Sequence, residues 1–162
     1  MSNGMFQIPS PINEPIYSYA PGTEPREKLI ATYQRMYNEV VDIPQFINGQ
    51  EVRTGDLRDC RPPHDHQHKI GHYHYGNAGH AQAAVDAALS AHAAWSSMPW
   101  NERAAIFLRA ADLVAGPYRA TINAATMLAQ SKTAFQAEID AACEFADFLR
   151  FNAHFMEKIY AE

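Results

Sequence analysis

Apolar residues in the second half of the chain recur every three or four positions, which is the spacing of a helix with one buried face. The predicted helices cover residues 81–95, 104–114, 118–129 and 133–162. Pro99 separates the first helix from the second. Gly116 and Pro117 separate the second from the third, in the order expected for the end of one helix and the start of the next.

Two of these helices carry long apolar stripes, which predict buried faces. The stripe of the first comprises Ala81, Ala84, Val85, Ala88, Leu89, His92 and Trp95. In the last helix the apolar positions alternate by four and three from Phe135 to Tyr160, which predicts a helix of at least about six turns with one buried face.

The first half of the chain predicts one helix and several short strands. Thr23 and Pro25 signal a helix start, and apolar positions at helical spacing continue to Val40. In the segment 46–52, the dipeptide Asn-Gly lies between apolar ends and favours a type I′ hairpin turn, because both turn residues need positive φ. Two further extended segments are predicted, at residues 57–61 and 69–75.

Three regions follow from this pattern. Residues 1–22 contain four prolines and predict an extended arm. Residues 23–76 hold the first helix and the hairpin region, and residues 77–162 are helical. The expected fold class is mainly α with a small β-hairpin region. Because the last helix reaches Glu162 without a capping signal, we expect further structure after it.

Composition narrows the classes of function. The net charge is −5, and the 13 basic residues are scattered, so nucleic-acid binding is not expected. No apolar run is long enough to span a membrane, and the N-terminus resembles neither a signal peptide nor a transit peptide, so we expect a cytoplasmic protein. Two distant cysteines are typical of reduced thiols.

The string from Gln130 to Ala153, with its Gln-Ser-Lys, Ala-Glu-Ile-Asp and Phe-Leu-Arg-Phe-Asn steps, closely resembles the pyrroline-5-carboxylate dehydrogenase branch of the aldehyde dehydrogenase superfamily. Three other segments agree with this resemblance, at residues 46–52, 63–69 and 84–112. Together they extend the resemblance over roughly residues 25–162.

The resemblance implies the N-terminal part of the aldehyde dehydrogenase α/β fold. It places the oligomerisation strands within 23–76 and an incomplete helical part of the NAD-binding domain within 77–162. The implied activity is the NAD-dependent oxidation of L-glutamate γ-semialdehyde to glutamate in proline breakdown, by a homo-oligomeric enzyme.

The resemblance also implies that the catalytic groups lie elsewhere. The Cys nucleophile, the Glu base and the Gly-rich cofactor turn are expected beyond residue 162. No catalytic, cofactor-binding or metal-binding residue is therefore assigned in this chain, and the isolated chain is expected to be inactive and to self-associate through exposed apolar faces.

The resemblance places Glu144 on the substrate-pocket side of the long helix, where a carboxylate could hydrogen-bond a polar substrate. Periodicity alone favours a solvated acidic stripe formed by Asp140, Glu144 and Asp147. Phe148, one turn further along, is a second pocket candidate, with a core position as the alternative. These two interpretations of Glu144 and of Phe148 remain open from the sequence.

Other reactive side chains have simpler interpretations. We expect Cys143 to be a buried structural thiol, because no basic residue lies within a helical turn of it. Arg150 is expected to form a salt bridge or cap a carbonyl. The histidines between His64 and His80 lack the convergent spacing of a zinc site.

Two rival functions stay open at this stage: a stand-alone helical interaction module, and a His-rich metal-binding protein.

Overall fold

The structure is a computed structural model that describes residues 6–162; residues 1–5 of the predicted arm lie outside the described part. The helices are α1 (Glu24–Asn38), α2 (Ala78–Ser97), α3 (Trp100–Ala115), α4 (Arg119–Gln130), α5 (Ala134–Ala137) and α6 (Glu144–Ala161). The strands are β1 (Val41–Ile43), β2 (Gln45–Ile47), β3 (Gln50–Val52), β4 (Leu57–Cys60) and β5 (Gly71–His74). The predicted mainly α fold with a small β region is confirmed.

Strands β2 and β3 form the predicted hairpin. Gln45 faces Val52 and Ile47 faces Gln50 in an antiparallel register. The turn between them places both of its residues in the left-handed region, at φ 52° and 72°. The Asn-Gly dipeptide adopts this conformation at low cost, so the hairpin prediction is confirmed.

A second sheet has the strand order β1-β5-β4, with β5 parallel to β1 and antiparallel to β4. Gly71 opens β5 where the two parallel strands meet, and a Cβ there would lie 2.7 Å from the carbonyl oxygen of Val41. Strand β1 was not predicted from the sequence, and the first helix was expected to continue to Val40. That prediction was wrong: α1 ends at Asn38, and the Val40 side chain is exposed.

Two small clusters of buried apolar residues lie among the helices. Ile8 of the arm packs with Ala104 and Ala153, which join α3 to α6. In the second cluster, Tyr19 of the arm packs with Leu29 of α1 and Ala124 of α4. The arm thus contributes one residue to each cluster.

The predicted buried stripe of α2 was wrong within the described residues, because no residue of that helix is buried. Val85 is 51% exposed and Leu89 is 69% exposed. The periodicity identified the helix correctly, but the described residues leave most of its apolar face exposed. That face is available for further protein to pack against.

The long last helix is interrupted. A π-helical stretch, Glu138–Cys143, separates α5 from α6. Because a π turn holds more residues than an α turn, residues before it are rotated out of register with residues after it. Phe135 is consequently 56% exposed, although Ala142, Ala146 and Ala153 of the same predicted face are buried. The prediction of a single buried face from Phe135 to Tyr160 was therefore wrong at its ends.

Candidate functional site

The π-helical stretch begins and ends on reactive side chains. Its first residue, Glu138, is fully buried, and its last, Cys143, is nearly so. The preceding turn is fixed by a capping box in which Thr133 and Gln136 exchange hydrogen bonds. Glu144 follows directly as the first residue of α6. Since π turns are frequent at functional sites, this point on the helix is a candidate site.

The carboxylate of Glu138 accepts hydrogen bonds from five other residues, the longest from the Cys143 thiol at 3.7 Å. Arg119 of α4 donates from Nε and Nη2, the Nε contacts being 3.2 Å to each oxygen. The Tyr17 amide and the Tyr19 hydroxyl of the arm each donate at 2.7 Å. Asn123 donates at 2.8 Å. A buried carboxylate with this many donors is stable in its charged form.

Arg119 also contacts the arm and the π stretch. Its Nη1 donates to Glu14 at 2.6 Å, and its guanidinium carbon lies 3.8 Å from the centre of the Tyr17 ring. Its Nη2 also lies 3.3 Å from the Cys143 sulfur. Arg150 of α6 donates to the second oxygen of Glu14 at 2.6 Å, which confirms the salt bridge expected for Arg150.

The network therefore contains two carboxylates, Glu14 and Glu138, and two guanidinium groups, Arg119 and Arg150. Their formal charges cancel, which is the condition for keeping such groups away from water. Burial alone would raise the pKa of Glu138, but its hydrogen bonds, that from Arg119 first, lower the pKa overall.

The pKa of Cys143 is raised, whereas that of Glu138 is lowered. Burial, followed by the charge of Glu138, raises the pKa of its thiol to about 11, and the nearby Arg119 does not compensate. The thiol is thus protonated at neutral pH. The expected buried thiol is found, although nothing in the sequence indicated that Arg119 would lie beside it.

A shallow groove of about 320 Å³ lies along α6, beside this network. It is lined by Asn13, Glu144, Asp147, Phe148, Phe151, Asn152 and Phe155. The two pocket candidates from the sequence, Glu144 and Phe148, therefore share one groove. Phe148 is 59% exposed, so it is not a core residue among the described parts of the chain.

The acidic residues of this helix do not form a uniform solvated stripe. Asp140 pairs with Lys132 at 2.6 Å. Asp147 accepts hydrogen bonds from the arm, from the side chain of Asn13 and from the amide of Glu14, both at 2.7 Å. The side chain of Glu144 has no hydrogen-bond or salt-bridge partner within residues 6–162, so its carboxylate is free to meet a ligand at the groove.

Several of the histidines have structural partners in the described part of the chain. His72 and His74 both contact Oδ1 of Asp42, at 2.8 and 3.1 Å, and His74 also accepts from the amide of Gly55. His64 meets the Ser131 hydroxyl at 2.8 Å. Among the described residues, no group of three or more His, Cys, Asp or Glu side chains is placed to hold a metal ion.

Sequence reasoning missed Glu138, Arg119 and Glu14. A signal for the first was present, since Glu138 lies four residues before Ala142 and therefore on the apolar face of the helix. A charged residue on such a face needs a buried partner. The identity of that partner was not accessible, because Arg119 lies on another helix and Glu14 on the arm.

Comparisons with known proteins place this geometry in a family. The sequence profile described as the aldehyde dehydrogenase family matches residues 50–162. A Delta-1-pyrroline-5-carboxylate dehydrogenase from Agaricus bisporus is 48% identical over 158 residues, which are 97% of this chain and 29% of that protein. The mouse protein described as the mitochondrial Delta-1-pyrroline-5-carboxylate dehydrogenase is 39% identical over 93% of this chain and 27% of its own length.

Among solved structures, the Delta-pyrroline-5-carboxylate dehydrogenase from Mycobacterium tuberculosis, bound with NAD and cobalamin, is similar with a TM-score of 0.96 at 43% identity. The match covers 100% of this chain and 30% of that one. The chain thus spans less than a third of the length of these relatives.

No helix among residues 6–162 is both long and apolar enough to cross a membrane. The resemblance to the pyrroline-5-carboxylate dehydrogenase branch, first seen in the motifs between Gln130 and Ala153, is confirmed over nearly the whole chain. The chain belongs to the aldehyde dehydrogenase family.

Proposed function

We propose that this chain forms the N-terminal portion of an NAD-dependent dehydrogenase that oxidises L-glutamate γ-semialdehyde, the open form of pyrroline-5-carboxylate, to glutamate. The observation that carries the proposal is the match along the entire chain to the M. tuberculosis enzyme, at a TM-score of 0.96. The M. tuberculosis structures that contain NAD support NAD as the cofactor of the complete enzyme.

We do not expect the described residues to hold NAD by themselves. A dinucleotide site needs a Gly-rich turn between a strand and a helix, at the edge of a parallel sheet. Residues 6–162 contain one parallel strand pair, β1 with β5, and no such turn. We therefore assign hydride transfer, the nucleophile and the water-activating base to parts of the enzyme outside this chain, and regard 77–162 as scaffold for the NAD-binding domain.

The contribution of this chain to the reaction is the groove on α6. We propose that Glu144 hydrogen-bonds the polar part of the substrate and that Phe148 packs against its carbon chain. A free carboxylate beside exposed aromatic rings suits a ligand that is polar at one end and apolar along its length. The π-helical stretch fixes the position of Glu144, because that residue begins the helix directly after the stretch.

We further propose that the complete enzyme is a homo-oligomer in the cytoplasm, with strands of residues 23–76 at the subunit contacts. The exposed apolar face of α2 supports association with more protein, whether of the same chain or of another copy. Relatives from mouse and Dictyostelium discoideum are described as mitochondrial, so the compartment needs its own test by localisation of the tagged enzyme.

The proposed activity can be tested in a chimera in which this chain replaces the matching segment of the M. tuberculosis enzyme. The chimera should form NADH from pyrroline-5-carboxylate, and the 162-residue chain alone should form none. The matched control is the unmodified M. tuberculosis enzyme. A folded chimera that forms no NADH would contradict the proposal, as would NADH formation by the chain alone.

A further inference from the structure

The N-terminal arm supplies one wall of the groove. Asn13 lines it beside Glu144 and Phe148. The Asn13 amide nitrogen donates to one oxygen of Asp147 at 2.7 Å, and the backbone amide of Glu14 donates to the other oxygen at 2.7 Å. One carboxylate on α6 therefore fixes two consecutive arm residues, and with them the orientation of the Asn13 side chain.

The same arm segment is fixed a second time by the buried network. The Glu14 side chain, 11% exposed, bridges Arg119 and Arg150 at 2.6 Å each. Three residues further on, the Tyr17 amide donates to Glu138. Residues 6–20 contain no helix or strand, so the path of the arm depends on these side-chain contacts together with the packing of Ile8 and Tyr19.

We propose that the arm segment Asn13–Tyr19 is a clamp, and that it makes Asn13 a specificity-determining residue of the groove. In this role the Asn13 amide oxygen accepts a hydrogen bond from the α-ammonium group of the substrate. The inference rests on the proposed function for the identity of the substrate, but the clamp itself does not.

The chemistry of the groove favours an ammonium group at this point. The Asn13 amide nitrogen donates to Asp147, which orients the side chain. The amide oxygen is its acceptor, and no donor within residues 6–162 contacts that oxygen. The free carboxylate of Glu144 adds negative charge, and Phe148 and Phe151 add aromatic faces that attract cations. An aldehyde without an amino group has nothing to donate to this oxygen.

Specificity is tested in the chimera with two aldehydes that differ only in the amino group: glutamate γ-semialdehyde and glutarate semialdehyde. Asn13→Ala should raise KM for the amino substrate about tenfold, the loss typical of one hydrogen bond to a charged group. The KM for glutarate semialdehyde should change less than about twofold. Ser10→Ala, an exposed arm position outside the groove, is the matched control. Equal effects on the two substrates, or no effect, would overturn the role of Asn13.

The clamp is tested by limited chymotrypsin digestion of the same folded chimera, a readout that needs no enzyme activity. Glu14→Gln removes the charge that bridges the two guanidinium groups and should speed cleavage after Tyr17 by about an order of magnitude, because weakening a buried charge pair releases the arm. Glu27→Gln, an exposed position on α1, should leave the cleavage rate unchanged.

Equal cleavage rates in Glu14→Gln and the unmodified chimera would refute the clamp. If the unmodified chimera forms no NADH from either aldehyde, the proposed function fails, and the cleavage rates still decide whether the arm is clamped. If NADH is formed but Asn13→Ala does not discriminate between the aldehydes, only the specificity role fails.

Discussion

Glu138 and Arg119 form an ion pair that is 0% and 4% exposed, between the first residue of the π-helical stretch and the first residue of α4. A buried pair of this kind contributes little net stability relative to an apolar replacement, but removing one partner leaves the other charged and unpaired. The pair also holds the arm through Glu14 and Tyr17. Its loss should therefore affect the π stretch and the arm together.

Glu138→Ala should destabilise the chain by about 3–5 kcal/mol, because Arg119 would then be buried without its main partner. The measurement is urea unfolding of the 162-residue chain at low concentration, followed by far-UV circular dichroism. The control is Asp140→Ala, which breaks a partly exposed pair with Lys132 and should cost less than about 1 kcal/mol. Similar losses in the two variants would contradict the buried role of Glu138.

Acid should weaken the folded chain in a way that depends on Glu138. Its pKa is lower in the folded state than the ordinary value of a glutamate, so its stabilising contribution is present above that ordinary value and is lost as pH falls through the folded-state pKa. Between pH 6 and pH 3.5 the urea midpoint should fall further for the unmodified chain than for Glu138→Gln. Parallel pH profiles would show that another carboxylate dominates the acid response.

Cys143 should resist alkylation in the native protein. Burial raises the pKa of its thiol to about 11, so only about one molecule in a thousand carries the thiolate at pH 8. In a Cys60→Ser background, iodoacetamide labelling followed by mass spectrometry should be slow in buffer and fast in urea. Labelling of Cys143 in buffer at the rate of a free cysteine would contradict the buried environment.

Glu144→Ala in the chimera should raise KM for glutamate γ-semialdehyde, by roughly tenfold if the carboxylate accepts one hydrogen bond from the charged substrate. Glu157→Ala is the matched control on the same helix, since its carboxylate contacts the Ile8 amide away from the groove. Unchanged kinetics in Glu144→Ala would remove the proposed pocket role.

Local sequence signals predicted much of the fold. The Asn-Gly turn fixed the β2–β3 hairpin, and proline and glycine breaks marked the helix ends because their backbone constraints act on their own neighbours. The π-helical stretch was not predictable in this way, since its residues Glu138–Cys143 are ordinary helix formers. The stretch coincides with contacts from Arg119 and the arm, which are distant in sequence.

The candidate site could also be predicted only in part. The resemblance identified Glu144 and Phe148, and the structure places both at one groove. Asn13 could not be found from the sequence, because it reaches the groove through Asp147, 134 positions away. The burial of the α2 face was wrongly predicted for a related reason. Periodicity shows that a face is apolar, but it does not show whether another element of the chain packs against that face.

The most direct test of the proposed function is substrate discrimination by the chimera that carries this chain. The measurement is the ratio of kcat/KM for glutamate γ-semialdehyde to kcat/KM for butanal, an aldehyde without the amino and carboxylate groups. In the chimera this ratio should favour the semialdehyde and lie within about tenfold of the ratio for the unmodified M. tuberculosis enzyme. Two results would contradict the proposal that this chain builds part of that enzyme's substrate groove. One is a folded chimera that forms no NADH from the semialdehyde, and the other is a folded chimera that oxidises the two aldehydes equally well.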